Sequence, residues 1–520
     1  MGPRFSFVTP VFNTPEDVLI ECIESVRAQW FRDWELCLVN DGSTAEHIKP
    51  LLDSVSSSDA RIRVHHRETN GGIVAASNDA LELARGDFIV LLDHDDTIEP
   101  ETLHLVDEAL GTDEHVDLVY SDSDKLDAYG NPIHAFFKPD WSPERFRHQN
   151  YLIHIAVARR SIVTEVGGFR AGFDGAQDYD LLLRVSERSR VIHHIRRVLY
   201  HWRIIPGSTA GDSQAKPAAY DAGKRAIADH CQRVGIDATV DKLADQPGSY
   251  RVRRQLRGRP LVSIVIPTAG AKRRLWGVDV NLVVNAVTRT ASVTTYTNVE
   301  WVIVYGAACD PETLAAVRAR CSGPMVEVPQ AVGFNFSDAV NRGVQAATGE
   351  IVVLLNDDVE VLSPDWLEQF AAMLEDEGVG SVGPKLLLPD FRVQSAGHWH
   401  GKTPEHLGRA LDRADPGPFS ALQVARECSS LTGACLATRR STWESVGGMA
   451  ISLPNAYNDA DFGNKLRSTG RRNIYLPWVE AIHHETSTRN PHVPQADLDE
   501  FVGRWRPRFR TEDYARNGCW

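Results

Sequence analysis

The 520-residue sequence predicts an α/β protein made of two tandem Rossmann-like domains, each a mostly parallel sheet covered by helices, joined by a helical linker region. Three observations carry this. Short apolar runs such as FIVLL (88–92) and IVVLL (351–355) alternate with helical patterns such as VLIECIESVRAQ, which is the mark of βαβ units. The chain repeats itself in order, and its length is more than one ordinary core serves.

Taken along the chain, the first strand SFVTP (6–10) recurs as SIVIP (263–267). NDALELARGDFIVLLDHDD (78–96) then matches NRGVQAATGEIVVLLNDDV (341–359), pairing Asn78 with Asn341 and Gly86 with Gly349. YLIHIAVARRSIVTEVGGF (151–169) matches SLTGACLATRRSTWESVGGM (430–449), and AQDYDLLLRVSERS (176–189) matches YNDADFGNKLRSTG (457–470). Four ordered matches are not the accident of two unrelated α/β domains. Between the halves, KPAAYDAGKRAIADHCQRVG (216–235) reads as one amphipathic helix, followed by a stretch punctuated by Gly and Pro that ends near Pro260. Its basic tail RVRRQLRGR (251–259) reads as a solvated connector sooner than as a lipid-phosphate site. The expected domains are 1–212 and 260–520, with the linker at 213–259.

Composition narrows the function. With 42% hydrophobic and 24% charged residues the chain is globular, and a net charge of −14 argues against broad binding to nucleic acid. The eight cysteines form no C-x-x-C pair, which fits a reducing compartment, and Cys22 and Cys37 read as buried thiols. No stretch approaches the roughly 20 apolar residues of a membrane span, and MGPRFSFVTPVFN enters a strand without a secretory core. The expected location is the cytoplasm, with peripheral membrane contact at most.

Carboxylates that directly follow apolar runs sit at strand C-terminal ends, where open α/β sheets bind ligands. Asp93 and Asp95 of LLDHDD are placed to converge on one hard divalent cation, Mg2+ or Mn2+, which would bridge a substrate diphosphate. Alone, such a pair is equally an acidic turn. Asp178, in GFDGAQDYDLLLR, opens a helical run whose dipole favours a carboxylate, and is a candidate general base; the plain alternative is an acidic helix cap. His201, in LYHWRIIPGSTA, follows a strand-like run and could reach the same metal through a neutral imidazole. The order recurs in the second half as Asp358, Asp459 and His483. His201 follows Asp178 by 23 residues, whereas His483 follows Asp459 by 24, and His484 adjoins it.

These residues resemble family 2 glycosyltransferases of the GT-A fold, and in particular tandem-domain members from bacterial O-antigen, rhamnan and other cell-surface polysaccharide pathways. FVTPVFNT, LVNDGST, NGGIVAASNDAL, LLDHDD, FFKPDWSP, VGGF, QDYDLLLR and YHWRIIPGSTA carry the likeness in the first half. VSIVIPT, FNFSDAVNRG, LLNDDVEV, LTGACLATRR, VGGM, NDADFGNKLR and HHETSTR carry it in the second. The resemblance implies a UDP-, GDP- or dTDP-linked sugar donor and a hydroxyl acceptor on a growing surface glycan or lipid-linked oligosaccharide. Asp41 would contact the base, Asp93 the ribose or diphosphate, Asp95 and His201 the metal, while Thr9, Pro10 and Asn78 line the nucleotide pocket. Asp178 would be the base of an inverting single displacement. In the second half Pro267, Asn341 and Asn356 take the donor positions, Asp358 and His483 the metal, and Asp459 the base.

The second half departs from the pattern. VYGAAC (304–309) replaces VNDGST (39–44), so Asp41 meets Gly306 or Tyr305, and the first acid of the D-x-D becomes Asn356. That domain is therefore read as active with altered donor recognition, as an acceptor-binding scaffold, or as inert. A nucleotidyltransferase would need a Gly- and Lys-rich loop where TPVFNTPEDV stands. A non-catalytic carbohydrate-binding assembly protein would not need the intact first constellation. RWRPRFR (504–510) interleaves cations and aromatics, a composition suited either to a membrane surface or to an ordinary packed tail.

Overall fold

The computed structural model describes residues 2–204, 217–330, 335–485, 493–509 and 511–515. The parts of YHWRIIPGSTA and HHETSTR beyond 204 and 485, the expected boundary at 212/213, and Cys519 lie outside the described residues. The chain forms two compact units, Met1–Ser142 with Phe146–Val252, and Arg253–Ala515.

Apart from a two-stranded pair, Ala238–Lys242 with Tyr250–Arg254, the strands of the first unit are β1 (Phe5–Val11), β2 (Trp34–Asn40), β3 (Ile62–His66), β4 (Phe88–Leu91), β5 (Thr97–Ile98), β6 (Val116–Leu126), β7 (Pro132–Phe136), β8 (Ala156–Arg159) and β9 (Val191–Arg203). They form one sheet in the order β3-β2-β1-β4-β8-β6-β9-β5, with β7 on β6. β3, β2, β1 and β4 run parallel; β8 lies antiparallel between β4 and β6, and β6 and β9 are parallel again. Every residue of β1 and β2 is buried, which is why both are mostly apolar, interrupted only by Ser6, Thr9, Glu35 and Asn40. Among the described residues eight helices accompany them: α1 (Glu16–Arg27), α2 (Ile48–Ser58), α3 (Ile73–Leu83), α4 (Thr102–Thr112), α5 (Pro143–His148), α6 (Arg160–Glu165), α7 (Gln177–Ser186) and α8 (Pro217–Arg233). α1 turns Leu19, Cys22, Ile23 and Val26 inward, with Glu16 and Asp17 at its N-terminus and Arg27 at its C-terminus, as the helix dipole favours. α8 is the helix expected at 216–235, and its Ala222, Ala226, Ile227 and Cys231 are buried.

One buried polar knot fastens the N-terminal edge of this sheet. Ser6 of β1 donates to Glu35 of β2 (2.6 Å), and Glu35 also accepts from the Arg85 backbone (2.6 Å). The Gly86 N–H donates to Ser6 Oγ (2.7 Å), and a Cβ on Gly86 would lie 2.8 Å from the Phe5 carbonyl carbon. Only glycine fits that approach. Two strands, β1 and β2, and the α3–β4 turn are thereby held to one register.

The second unit repeats the plan. Its sheet includes Val262–Thr268, Val299–Tyr305, Met325–Pro329 and Ile351–Leu355 as a parallel set, then Cys435–Arg439 antiparallel, then Val379–Leu387 and Arg472–His483 parallel to each other. The knot is repeated as well: Ser263 donates to Glu300, and Gly349 N–H donates to Ser263 Oγ (2.9 Å). Additions set this unit apart, namely the hairpins Lys272–Leu275/Val278–Asn281 and His398–His400/Pro404–His406. Trp505, in the basic-aromatic C-terminal segment, is buried and donates to Asp461 (2.8 Å), so its ring faces the protein core. Cys22 and Cys37 are buried free thiols, as read from the sequence. Among the described residues no helix is long and apolar enough to cross a membrane.

Candidate active site

At the C-terminal end of the first unit's parallel strands, the turn after β4 carries Asp93, His94, Asp95 and Asp96. Asp93, Asp96 and His154 bring a ligand atom each to within 4.8 Å of one another, the one such group among the described residues. Asp96 is fully buried; its carboxylate accepts from the Tyr200 hydroxyl and from the Arg203 N–H (2.8 Å). Burial, and then the charges of Asp95 and Asp93, hold its carboxyl well above the usual range. The His154 ring stacks on Tyr200 with centroids 4.6 Å apart. Burial, and then Lys138, push His154 down to about 3, so the ring is neutral with a lone pair to give. Lys138 is itself buried, donates to the Ile153 and His154 carbonyls (2.9 Å each), and is lowered by burial to about 7.

Asp95 is half-buried beside His94, and its backbone carbonyl accepts from Arg203 Nε (3.1 Å). His201, paired in sequence reasoning with Asp95, lies on β9 opposite Thr97, with Nδ1 2.6 Å from Asp124 and Nε2 3.1 Å from Glu99. Burial lowers its basicity, but the hydrogen bond and charge of Asp124, joined by Glu99, outweigh that and raise it.

Asp178 stands in the first turn of α7, where the helix dipole favours a carboxylate. It accepts from the Tyr179 N–H (2.7 Å) and from Asn150 Nδ2 (3.3 Å). Enclosure by its neighbours raises its carboxyl to about 6, the hydrogen bonds opposing. A carboxylate poised there can take a proton near neutral pH. Asn150 and His154 share the segment entering β8, so one short stretch of chain touches both the predicted base and the acidic turn.

The predicted nucleotide residues divide. Asp41 is buried beyond β2 and accepts from the Gly71 and Gly72 N–H groups (2.8 and 2.9 Å), with Arg67 Nε at 3.0 Å. Thr9 Oγ1 is buried on β1 without a hydrogen-bond partner among the described residues, and Pro10 pairs with Val39. Asn78 spends both polar groups on Phe169, donating to its carbonyl and accepting from its N–H at 2.9 Å each, so it clasps the VGGF turn to α3.

In the second unit Asn341 makes the same clasp on Met449 (2.9 and 3.0 Å), and Pro267 pairs with Val304. The Asn356 side-chain oxygen is buried without a partner among the described residues. Asp358 lies 3.2 Å from His483 Nε2, so here the predicted metal pair is together; His483 Nδ1 faces Gln394 (3.0 Å). Asp459, second residue of the helix Asn458–Ser468, accepts from the Gly433 and Ala460 N–H groups (3.0 and 2.8 Å). Asp357, absent from the sequence-based set, accepts from the Thr268 hydroxyl (2.6 Å), and burial, with the charge of Asp358 added and that of His483 opposing, raises it to about 7.

Strand register decides one sequence pairing and corrects another. Gly306 N–H donates to the Thr268 carbonyl as Asp41 N–H donates to Val11, so Gly306, not Tyr305, stands at the Asp41 position and no carboxylate replaces it. Ile98 pairs with Tyr200 and Val361 with Ala481, which makes Ile482 the counterpart of His201 and Trp202 that of His483. A one-residue offset sends the two histidines to opposite faces of their strands. The difference between 23 and 24 residues from the helix acid was the signal. Asp96, Asp124, Glu99, Lys138 and His154 escaped sequence reasoning because each meets its partners only through long-range pairing.

Residues 6–167 match the glycosyl transferase family 2 model, and residues 259–499 match the glycosyltransferase-like family 2 model. Over 99% of its length the chain is 40% identical to the uncharacterised protein y4gI of Sinorhizobium fredii, of which it covers 57%. It is 36% identical, over 97% of its length, to the O-antigen biosynthesis protein RfbC of Myxococcus xanthus, of which it covers 39%. Among solved structures, S. aureus TarS 1–349 in complex with UDP-GlcNAc shares 22% identity over 44% of this chain and 66% of that one, at a TM-score of 0.37.

Proposed function

We propose, from the premise that this chain belongs to glycosyltransferase family 2 through both of its domains, that the first domain moves a sugar from a nucleotide-sugar donor to a hydroxyl of a growing cell-surface glycan or lipid-linked acceptor. The observation that carries this is Asp178, a helix-opening carboxylate raised to about 6 and tethered through Asn150 to the segment that reaches the acidic turn. In this reading Asp178 takes the proton of the acceptor hydroxyl as that oxygen attacks the anomeric carbon from the face opposite the nucleoside diphosphate. The anomeric configuration inverts. A single base differs from the two flanking carboxyl groups of a glycosidase.

The residues fit a divalent cation: Asp93, Asp95 and Asp96 crowd one turn, and their mutual repulsion is what an ion would relieve. Asp93 and Asp95 with His201 would hold Mg2+ or Mn2+ once His201 leaves Asp124 and Glu99, whereas Asp93, Asp96 and the neutral His154 already bring ligand atoms together; the ion would supply charge neutralisation for the departing diphosphate. Asp41 acts by fixing Gly71 and Gly72 at the mouth of α3, with Thr9 Oγ1 left to meet the nucleotide. The domain limits 1–212, 213–259 and 260–520, and a cytoplasmic or peripheral location, belong to the same proposal.

A second reading, in which both domains transfer sugar, is favoured by the Asp358–His483 pair and by Asp459. The test is nucleoside diphosphate release from UDP-, GDP- and dTDP-sugars with Mn2+ or Mg2+ and surface-glycan acceptors. Loss with Asp178→Asn alone assigns turnover to the first domain. Separate losses with Asp178→Asn and Asp459→Asn would make the chain bifunctional, and no turnover with any donor would overturn the transferase reading.

A further inference from the structure

Where the first unit passes from β1 to α1 through Phe12–Pro15, the second interposes a hairpin, Lys272–Leu275 paired with Val278–Asn281. Leu275 opposes Val278, so Trp276 and Gly277 form a two-residue turn with φ of +52° and +82°. Such a turn wants Asn or Asp followed by Gly, because positive φ at both positions crowds a larger side chain. A tryptophan there is strained, and it is also 49% exposed. Strain and exposure together mark a residue kept for what it touches outside the fold.

The indole has a defined setting. It stacks on Phe391, itself 44% exposed, with centroids 6.3 Å apart and planes at 28°, and it meets the His484 ring edge-on at 5.3 Å. Its N–H faces the Glu360 carboxylate at 3.3 Å, which also accepts from Asn285 (2.8 Å). Two exposed aromatic rings thus stand side by side above a buried carboxylate and an amide. Glu360 is itself buried and spent on Trp276, Asn285 and His484, so an occupant must offer an apolar face to the rings and bring no negative charge to the acid beneath them. The buried carboxylate, with Asp358 just ahead of the same strand, disfavours a nucleoside diphosphate, and the hairpin's cations Lys272, Arg273 and Arg274 stand on its first arm and not at its tip. A pyranose ring meets all of this, laying its C–H face on the indole with its hydroxyls at the rim.

We propose that Trp276 and Phe391 form a saccharide-stacking platform with which the second domain holds the growing glycan. This rests on the reading of the chain as a transferase to a glycan. It also gives the domain that lost its Asp41 counterpart a defined task on the acceptor side.

The full chain is tested by affinity electrophoresis in gels containing bacterial O-polysaccharides freed of lipid. At least one polysaccharide should retard the wild type, and Trp276→Asn and Phe391→Ala should each weaken the apparent affinity about tenfold or more. Asn suits the turn better than Trp, so Trp276→Asn should keep or raise the melting temperature, which separates lost binding from lost fold. Donor hydrolysis should be unchanged in both variants. The platform is refuted if no polysaccharide retards the wild type, or if Trp276→Asn is retarded as strongly. It is equally refuted if Trp276→Asn loses only binding to UDP, GDP or dTDP, or only co-sedimentation with anionic phosphatidylglycerol vesicles, because the rings then serve a base or a membrane. Donor hydrolysis without retardation sinks the platform alone, whereas absent hydrolysis with every donor sinks the transferase reading whatever the gel shows.

Discussion

Asp178 combines two demands, ionisation for chemistry and enclosure that opposes ionisation. With its carboxyl at about 6, turnover should fall on an acid limb centred near pH 6, and Asp178→Asn should remove at least about a hundredfold of nucleoside diphosphate release. The stability effect has the opposite direction. A carboxyl raised above its unfolded value favours the native state when protonated, so its contribution is present below about pH 4 and is lost as pH rises through about 6. Asp178→Asn should therefore be the more stable protein at pH 8, by up to about 3 kcal/mol, and should lose that advantage near pH 4. Parallel melting curves at the two pH values check it; an equal difference at both would mean the carboxyl is not raised. For the metal, His201→Ala should raise the Mn2+ needed for half-maximal turnover by about tenfold or more. An unchanged Mn2+ requirement, with the loss found in His154→Ala, would move the imidazole ligand to the ring that is already neutral.

Elements show why some of this was legible and some was not. β4 announces itself because all four of its residues are apolar, and the acids that follow it fall at the ligand edge by geometry. α7 is legible because Asp178 and Asp180 precede an apolar run. The hairpin at 272–281 is not, since Trp-Gly carries none of the usual turn chemistry. Histidine roles are the hardest: a motif counts residues, whereas a strand's face depends on parity, and His201 and His483 differ by one. At this scale Gly86→Ala is the sharpest probe of the fold. Its Cβ would press on the Phe5 backbone and Ser6, and relief needs backbone movement, so a cost of about 1–3 kcal/mol is expected, seen as a fall of several degrees in the first unfolding transition. A Gly86→Ala protein that melts like the wild type would show that the turn yields freely.

For the molecule as a whole, duplication is visible in coordinates as well as in letters: the same clasp of asparagine on a glycine turn and the same serine–glutamate knot occur twice. What differs is the ligand edge, where one unit holds Asp41 and Asp93 and the other Gly306 and Asn356. Asp459→Asn should accordingly leave first-domain donor hydrolysis within about twofold of wild type, since sites without shared partners act independently. A matching collapse of hydrolysis in Asp459→Asn would show that the two sites work as one.

The serine–glutamate knot fastens the N-terminal edge of each sheet, and every residue proposed for chemistry lies toward the opposite edge or beyond it. A copied domain built this way can drift at its working rim while its anchorage stays intact. Novelty in such a protein is cheap, because the parts that invent are not the parts that hold.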